Sequence, residues 1–316
     1  MIKLCKKKLG FFMEKQKLIE LIKQEKNEKN IKILAHTYQS PDIIDLADVT
    51  GDSYMLAKAA QKLDCETVLM CGVRFMAETV KILSPEKKVL LSAEGATCPM
   101  ALQIEPRQVV DFKKEHPDYT VCAYINTTAE LKAVSDVCVT SSSAVRIIER
   151  MDAENILFIP DKNLGRYVQM KVKGKNFAFF DGCCPVHNSI TAADVINEKS
   201  KHPGALFAVH PECRPEVAEL ADFVGSTSAI IDYALSTDSD VIIGTERGVV
   251  DYLKIKHPSR NFYQLREDLL VCRDMKMTTL EEVYSAVTGN GTVIEMDENL
   301  RLAAKRPLDN MLKYGG

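Results

Sequence analysis

The cysteines are the residues of this 316-residue chain with the most distinctive chemistry, and two of them are adjacent. The segment DGCCPVHNS contains Cys183 and Cys184, with His187 three residues after the second thiol. None of the ten cysteines belongs to a CxxC sequence, which argues against a zinc ribbon, a thioredoxin-like redox site or a ferredoxin-type cluster. Any metal site must therefore collect its ligands from distant parts of the chain.

Three similar segments contain further polar residues suited to acid–base chemistry or binding. Each is a short apolar run that ends in polar residues, and the intervals between them are 88 and 86 residues. The residues at corresponding positions are His36, Tyr124 and His210, and then Tyr38, Asn126 and Glu212. Further blocks recur in the same order, beginning at Asp48, Asp136 and Asp222, at Thr67, Asn155 and Val241, and at Lys88, Asn176 and Asn261. Four blocks in one order indicate an internal threefold repeat.

The segments between these blocks have helical patterns, so short apolar strands alternate with helices. This alternation predicts right-handed crossovers and parallel sheets that are covered by helices on both faces. We therefore predict an α/β fold of three homologous three-layer αβα domains with short parallel sheets, in a pseudo-threefold arrangement around a central active site. The predicted boundaries are an N-terminal helical segment 1–29, repeats 30–117, 118–203 and 204–290, and a C-terminal helical segment 291–316.

Three hydroxyl residues repeat at the same intervals, each where a strand is expected to end and a helix to begin. They are Ser53, Ser141 and Thr227. A helix N-terminus has free N–H groups and a positive dipole end, so these positions suit a substrate that carries carboxylates or a phosphate. The alternative is that the hydroxyls are N-caps, which is a common structural role. Because three of them are expected at one shared face, we favour anion binding.

The polar residues at the strand ends have both a structural and a functional interpretation. A single His or Tyr at a strand end is usually structural, but here six polar residues occupy matching positions. Ligands in open α/β sheets bind beyond the carboxyl ends of the strands. We therefore expect these residues to line the active site.

One cysteine follows the fourth block of each repeat: Cys98, either Cys183 or Cys184, and Cys272. The Cys-Pro dipeptide at Cys98 recurs at Cys184, which favours Cys184 as the equivalent residue. Three converging thiolates suit a 4Fe-4S cluster with one open iron that acts as a Lewis acid. Zinc bound by three thiolates and a water is an alternative, and three unconnected buried cysteines are another.

The composition excludes some classes of partner. With 41 basic and 44 acidic residues the net charge is -3, which gives no reason to expect nucleic acid as a partner. No apolar stretch is long enough to cross a membrane, and the lysine-rich beginning of the sequence lacks the apolar core of a secretory signal. We expect a cytoplasmic protein that does not associate with membranes.

Several motifs resemble those of the A-type, 4Fe-4S-dependent quinolinate synthases, over nearly the whole chain. They are AHTYQSPDIIDLADVTGDS, CGVRFMAETVKILSPEKKVLL, YINTTAELKAVSDVCVTSSSAV, GCCPVH, VHPECRPEV, VGSTS, GTERG and CRDMKMTTLEEV. The resemblance implies three αβα domains around one 4Fe-4S cluster per chain. It also implies an enzyme of de novo NAD biosynthesis that condenses iminoaspartate with dihydroxyacetone phosphate to give quinolinate, phosphate and two waters. L-aspartate oxidase is the implied supplier of iminoaspartate.

The resemblance also implies a set of site residues by motif match. The cluster ligands are Cys98, Cys184 and Cys272, because the family pattern G-x-C-x-x-H selects Cys184 over its neighbour. The implied substrate contacts are His36, Ser53, Tyr124, Ile125, Asn126, Ser141, His187, His210, Pro211, Glu212 and Thr227. The candidates for proton transfer are Tyr38, His210 and Glu212. The chain departs from the usual family pattern at Thr37, Ser143 and Cys183.

Two alternative functions belong to other classes of iron–sulfur protein. An electron-transfer or regulatory protein requires a fourth cluster ligand and no converging anion sites. A different 4Fe-4S dehydratase, acting on a hydroxy acid, shares the open iron. An assay that detects quinolinate from the two implied substrates separates these possibilities.

Overall fold

The computed structural model describes residues 2–315, with side chains from residue 14 onward. The strands are β1 (Ile31–His36), β2 (Val49–Gly51), β3 (Thr67–Cys71), β4 (Lys88–Leu91), β5 (Tyr119–Tyr124), β6 (Val137–Val139), β7 (Asn155–Ile159), β8 (Asn176–Phe179), β9 (Leu206–Val209), β10 (Phe223–Val224), β11 (Val241–Gly244), β12 (Phe262–Gln264) and β13 (Thr292–Val293). The helices are α1 (Ile2–Glu28), α2 (Pro41–Leu46), α3 (Ser53–Ala60), α4 (Arg74–Leu83), α5 (Pro106–Glu115), α6 (Ala129–Ala133), α7 (Ala144–Arg150), α8 (Lys162–Lys171), α9 (Ala192–Lys201), α10 (Pro215–Ala218), α11 (Thr227–Ser236), α12 (Gly248–Lys256), α13 (Leu280–Ser285) and α14 (Glu298–Gly315).

Three sheets form in the part of the chain that the structure describes. Their strand orders are β13-β4-β3-β1-β2, β6-β5-β7-β8 and β10-β9-β11-β12. The paired strands are parallel, apart from β13, which runs antiparallel to β4. The predicted α/β fold with short parallel sheets between helices is confirmed. The pseudo-threefold arrangement around a central site stays a prediction.

The chain divides into two compact units. One contains Met1–Thr97 and Arg273–Glu295, and the other contains Cys98–Cys272 and Met296–Gly316. Helix α5, which we predicted in the first repeat, therefore lies in the unit that contains the second and third sheets. Residues 273–290, which we predicted in the third repeat, lie with the first sheet, because α13 packs against α1.

The C-terminal segment 291–316 is not helical throughout, which differs from the prediction. It begins with strand β13, where Ile294 N donates to Val89 O over 2.8 Å. An edge strand such as β4 has unpaired backbone groups on its outer side, and a short added strand satisfies them. Helix α14 follows and packs against α6, β6 and α7.

A repeated aspartate at the beginning of the second strand explains part of the regular spacing. Its carboxylate accepts a hydrogen bond from an N–H of the first strand and pairs with a lysine of the preceding helix. The three acceptors are Asp48 for Ile33 N at 2.7 Å, Asp136 for Val121 N at 2.9 Å and Asp222 for Phe207 N at 2.8 Å. The paired cations are Lys26, Lys113 and Lys199, at 2.9, 2.8 and 3.3 Å. One carboxylate therefore ties together two strands and a helix in each repeat.

A second repeated contact lies at the amino ends of the strands, where a cation binds two backbone carbonyls. Lys87 donates to Leu63 O and Cys65 O over 2.8 and 2.9 Å, and Lys175 donates to Met151 O and Ala153 O over 2.6 and 2.7 Å. In the third repeat the cation is Arg260, which donates to Thr237 O and Ser239 O. Such pairing satisfies backbone carbonyls in the loops that enter the third strand of each sheet.

The core consists of the apolar faces of the sheets and the helices packed on them. In the first unit, Ile33 and Leu69 pack with Ile22 of α1. In the second unit, Phe207 and Ile242 belong to the cluster beneath the third sheet. Each fully buried side chain of this kind contributes roughly 1.5–3 kcal/mol. Among the described residues, no helix combines the length and the apolar character that a membrane crossing requires.

Candidate active site

The first strand of each sheet ends at the residues that the repeat pattern identified. Strand β1 ends at His36, β5 ends at Tyr124, and β9 ends directly before His210. All three side chains are buried. In the unit that contains the second and third sheets, Tyr124 Oη donates a hydrogen bond of 2.7 Å to Glu212 Oε1. The carboxyl ends of β5 and β9 therefore meet, as the parallel topology predicts.

Glu212 is at the centre of a buried polar cluster in this unit. In addition to the contact with Tyr124, its Oε2 lies 2.8 Å from His187 Nδ1 and 3.9 Å from His210 Nδ1. The two imidazole rings stack with their centroids 4.9 Å apart. Asn163 Nδ2 donates to the backbone carbonyl of Glu212 over 3.0 Å. These contacts hold the carboxylate in one position and offset the cost of burying its charge.

Two neighbouring carboxyl groups have opposite pKa shifts. Burial alone raises the pKa of Glu212, but electrostatic interaction with the imidazoles of His210 and His187 and the hydrogen bonds from His187 and Tyr124 hold that pKa well below its usual range. Burial and the charge of Glu212 raise the pKa of Asp161 well above its usual range. Burial lowers the pKa of His210 to about 4. Neighbouring groups whose pKa values are separated in this way are typical of acid–base sites.

His187 links Glu212 to Cys184. Its Nδ1 lies 3.3 Å from Cys184 Sγ, and its Nε2 lies 2.9 Å from Thr245 Oγ1. One potential ligand atom from each of Cys184, His187 and Glu212 lies within 4.8 Å of the other two. Thiolate, imidazole and carboxylate are all ligands of transition metals, so this trio has a composition suited to metal binding.

Among the three cysteines predicted as cluster ligands, Cys98 interacts electrostatically with Cys184 and with Cys272. Burial raises the pKa of Cys98 to about 12, and negative charge on Cys272 contributes to the shift. Burial raises the pKa of Cys184 well above its usual range, and negative charge on Glu212 and Cys98 contributes. Cys98 therefore lies near both Cys184 and Cys272, and neighbouring thiols, which lose their protons when they bind metal, suit a thiophilic metal group. The donor set therefore fits an iron–sulfur cluster, and the ligand assignment stays a prediction.

Cys183 and Cys184 have different surroundings. The N–H of Cys184 donates to Asp161 Oδ2, whereas that of Cys183 donates to Gln103 Oε1, each over 2.8 Å. Burial raises the pKa of the Cys183 thiol, and the charged groups that also act on it are Asp161, Lys162, Asp181 and Arg214. Cys98 is among the groups that raise the pKa of Cys184, whereas no cysteine is among the four charged groups that act on Cys183. The choice of Cys184 as the cluster ligand stays a prediction.

Two further predicted strand-end residues, His36 and Tyr38, lie in the unit of the first sheet. His36 Nδ1 accepts a hydrogen bond from Tyr38 N over 3.1 Å, and the two rings meet edge to face with centroids 4.5 Å apart. The same contact recurs in the third sheet, where His210 Nδ1 accepts from Glu212 N over 3.4 Å. When Nδ1 accepts, the ring proton is on Nε2, so both imidazoles present an N–H donor at Nε2.

The repeated hydroxyl residues do not cap the helices beside them, so the capping alternative is wrong. Ser53 and Thr227 are the first residues of α3 and α11, and both are buried. The residues that accept the cap hydrogen bonds are Asp52 and Ser226. Ser141 is half-buried and lies two residues before the N-cap position of α7. The interpretation as anion-binding groups stays a prediction.

A buried lysine that we did not identify from the sequence supports the predicted substrate-binding segment. Lys132 of α6 is fully buried, and its Nζ donates to Ile125 O and Thr127 O over 2.8 and 2.5 Å. These carbonyls flank Asn126, which is half-buried. A lysine in a helical pattern indicates a solvated surface, so no sequence signal marked this residue. Pro211, on the corresponding segment after β9, is also buried.

Two buried carboxylates were also missed, and each binds the backbone N–H of a predicted cluster ligand. Asp161 accepts from Cys184 N, and Glu246 Oε1 accepts from Cys272 N over 3.2 Å. Both side chains are fully buried. Asp161 and Glu246 follow β7 and β11, which are the third blocks of their repeats. The polar residues after those blocks were the sequence feature from which both could have been predicted.

Comparison with known proteins gives a match along most of the chain. The family model NadA, described as quinolinate synthetase A protein, matches residues 20–313. A quinolinate synthase of Clostridioides difficile is 46% identical over 293 residues, covering 92% of this chain and 96% of the relative. Those of Alkaliphilus metalliredigens and Caldicellulosiruptor bescii are 44% and 45% identical over 302 residues, covering 95% and 94% of this chain and 99% of each relative.

Proposed function

The chain belongs to the NadA family of quinolinate synthetase A proteins, and from this premise we propose that it condenses iminoaspartate with dihydroxyacetone phosphate. The products are quinolinate, inorganic phosphate and two waters. The observation that carries the proposal is the buried cluster in which the Glu212 carboxylate contacts Tyr124, His187 and His210. A carbon–carbon condensation followed by ring closure requires proton transfers at several atoms, and this cluster offers groups of different proton affinity.

We assign proton transfer to Glu212 and His210, with Tyr38 as a third candidate. Glu212 is ionised because its pKa is held low, so its carboxylate is able to accept a proton. Tyr124 donates to the same carboxylate and is therefore placed to pass a proton on or to bind the substrate beside it. His210 is neutral and presents its Nε2–H as a donor to a carbonyl or carboxylate oxygen.

We further propose that Cys98, Cys184 and Cys272 hold a 4Fe-4S cluster with one open iron. The support is the mutual influence of these thiols, together with the buried carboxylates of Asp161 and Glu246 that fix two of the ligand segments. When bound, the cluster supplies a Lewis acid that polarises a substrate hydroxyl or carbonyl. The residues of the chain then orient the substrate and move its protons.

The anionic groups of the substrates are proposed to bind at the repeated hydroxyl positions. Iminoaspartate carries two carboxylates and the triose carries a phosphate, and helix N-termini favour such groups. The support is that Ser53 and Thr227 are first-turn residues whose helices are capped by other side chains. The supply of iminoaspartate by L-aspartate oxidase and the cytoplasmic location stay predictions.

The assay that tests this function uses protein purified and handled without oxygen. We expect about four irons and four sulfides per chain, as a 4Fe-4S site requires. With iminoaspartate generated in the assay and dihydroxyacetone phosphate, we expect quinolinate and phosphate in a one-to-one ratio. Quinolinate is measured by chromatography and phosphate by a colorimetric assay.

Two outcomes of this assay contradict the proposal. Phosphate release without quinolinate points to a different dehydratase or a phosphatase. Iron–sulfur protein that turns over neither substrate points to an electron-transfer or regulatory role. Protein exposed to air, in which the open iron is attacked, is the control and is expected to lose both its visible absorption and its activity.

The hydroxyl positions give a separate prediction. Ser141→Ala and Thr227→Ala are expected to keep the cluster absorption and to raise KM by about 10- to 100-fold, since a hydrogen bond to a charged group is worth roughly 1.5–3 kcal/mol. Anaerobic steady-state kinetics with each substrate varied in turn measures the change.

The matched control for this prediction is Ser226→Ala, because Ser226 is the N-cap of α11 and is adjacent to Thr227. Loss of the cap is expected to cost about 1 kcal/mol of stability with little change in KM. If Thr227→Ala instead lowers stability and leaves KM as in the wild type, the hydroxyl is structural and the anion-binding assignment is wrong.

A further inference from the structure

The trio Cys184, His187 and Glu212 provides three different metal-binding atoms in one buried place. Cys184 Sγ is 3.3 Å from His187 Nδ1, which is 2.8 Å from Glu212 Oε2. One ligand atom from each of the three side chains lies within 4.8 Å of the other two. Because these residues belong to the same compact unit, the arrangement is a property of that unit alone.

The distances agree with the dimensions of a tetrahedral zinc site. Zinc binds sulfur at about 2.3 Å, imidazole nitrogen at about 2.0–2.1 Å and carboxylate oxygen at about 2.0–2.2 Å. Two such ligands at a tetrahedral angle are therefore about 3.4–3.6 Å apart, by simple geometry from those bond lengths. The observed separations of 3.3 and 2.8 Å must lengthen by about 0.3 and 0.6 Å, and the sulfur of Cys184 and a carboxylate oxygen of Glu212, which lie within 4.8 Å, must come to about 3.6 Å.

Groups around the trio already orient two of the ligands. In the metal-free protein His187 Nδ1–H donates to Glu212 Oε2, and Thr245 Oγ1 lies 2.9 Å from His187 Nε2, where it can accept the ring proton once a metal occupies Nδ1. Tyr124 donates a hydrogen bond to Glu212 Oε1, so that the other carboxylate oxygen, Oε2, faces His187. Hydrogen bonds of this kind fix the tautomer and the orientation of metal ligands in known metal sites.

We propose that the protein without its cluster binds one thiophilic divalent cation, such as Zn²⁺, through Cys184 Sγ, His187 Nδ1 and Glu212 Oε2. Binding forms bonds from the metal to Cys184 Sγ, His187 Nδ1 and Glu212 Oε2, releases the thiol proton of Cys184 to solvent, and shifts the His187 ring proton from Nδ1 to Nε2, beside Thr245 Oγ1. Three protein ligands leave a fourth position for water, as in open zinc sites. This site is distinct from a three-cysteine site, because it uses one cysteine and does not use Cys98 or Cys272.

A consequence is that zinc and the iron–sulfur cluster compete. Cys184 belongs to both ligand sets, and its thiolate binds either the zinc ion or the cluster, but not both at once. Zinc bound at the trio is therefore expected to block cluster assembly while Cys98 and Cys272 stay free of metal. This consequence, unlike the zinc site itself, rests on the proposed function, because it assumes that Cys184 is a cluster ligand.

The experiment uses full-length protein from which iron has been removed by a chelator under reducing, anaerobic conditions. We expect one Zn²⁺ per chain by metal analysis after removal of excess ion. Co²⁺ in place of zinc is expected to give the absorption of a four-coordinate ion with a single thiolate ligand. Competition with a chromophoric chelator then gives the affinity of each variant.

The pattern of variants identifies the ligands. Cys184→Ser, His187→Gln and Glu212→Gln are expected to weaken zinc binding by about tenfold or more, whereas Cys98→Ser and Cys272→Ser keep the wild-type affinity. Thr245→Val, which removes no ligand, is expected to weaken binding by about 10- to 100-fold. Circular dichroism and urea unfolding of each metal-free variant verify that the fold is retained.

A different pattern overturns the proposal. If Cys98→Ser and Cys272→Ser lose zinc together with Cys184→Ser, the metal is bound by three thiolates. If no variant changes the affinity, or if less than one zinc is retained, the trio is not a metal site. Because these titrations use cluster-free protein and no substrate, a failure here is distinguishable from a failure of the quinolinate assay.

Discussion

Replacement of Cys184 by serine is expected to give protein without a stable iron–sulfur cluster and without quinolinate formation, whereas replacement of Cys183 is expected to preserve both. A serine hydroxyl is a poor ligand for iron–sulfur iron, and two remaining thiolates do not hold the cluster firmly. Neighbouring side chains on an extended segment point in opposite directions, so one of the two cysteines faces the other ligands. The iron and sulfide content of both variants, purified anaerobically, measures the effect.

The surroundings of the two thiols are the reason to expect such a large difference. Negative charge on Cys98 contributes to the pKa of Cys184, and the N–H of Cys184 is held by the buried carboxylate of Asp161. Cys183 is held by Gln103 instead. A Cys183→Ser protein that lacks the cluster, next to a Cys184→Ser protein that retains it, would falsify the assignment of Cys184.

The substitution Glu212→Gln is expected to lower kcat by about 10²- to 10⁴-fold, the usual contribution of a positioned acid–base group. Glutamine has the same shape and keeps a carbonyl oxygen for the hydrogen bond from Tyr124, so the fold and the cluster content are expected to be preserved. The amide has no negative charge and cannot accept a proton from the substrate. Anaerobic kinetics, normalised to iron content, measures the loss.

The matched control for this variant is Glu198→Gln. Glu198 is also buried and also lies beside a histidine, with Oε1 3.3 Å from His202 Nε2, but it is on α9 and pairs with Lys201. Its substitution is expected to leave kcat unchanged. Equal kcat values for Glu212→Gln and the wild type, with a normal cluster, would show that Glu212 has a structural role and that proton transfer belongs elsewhere.

The fold class was predictable because its physical causes are written in the local sequence. A sheet covered by helices on both faces requires strands that are apolar throughout, and these appear as short continuous apolar runs. The intervals are regular because the same connections recur in each repeat. Asp48 and Asp136 each tie the second strand to an N–H of the first, and a change in the length of the intervening segment would break that bond.

The fourth block begins one residue early in the third repeat, because Lys88, Asn176 and Asn261 are 88 and 85 residues apart, and this shift has a counterpart in the structure. The carbonyl pairs bound by Lys87, Lys175 and Arg260 lie at corresponding positions, but the arginine is one residue earlier in its repeat than the lysines are. A guanidinium has several donors and reaches two carbonyls from a different backbone position. The strand pairing is therefore preserved although the spacing in the sequence changes.

The partners of the strand-end residues were less predictable. The alternation of strands and helices indicates which residues share a sheet edge, but it does not say which side chains touch. The contact between Tyr124 and Glu212 joins residues that are 88 positions apart, and His187 enters the cluster from a short 3-10 helix after β8. Such contacts depend on how two sheets pack in one unit, and no local pattern encodes that packing.

Two features that were not predicted, buried Lys132 and strand β13, share one property: the local sequence favours a different environment from the one the fold provides. Lys132 carries a charged group into a fully buried position, because the turn after β5 directs two carbonyls toward it. Strand β13 is only two residues long, and it forms because the edge of β4 is available. Local propensity assigns a lysine to the surface and a two-residue segment to a loop. The carbonyls that bind Lys132 belong to a turn that exists only in the folded chain, and β4, which pairs with β13, is distant in the sequence. The free energy that stabilises both features therefore arises only on folding.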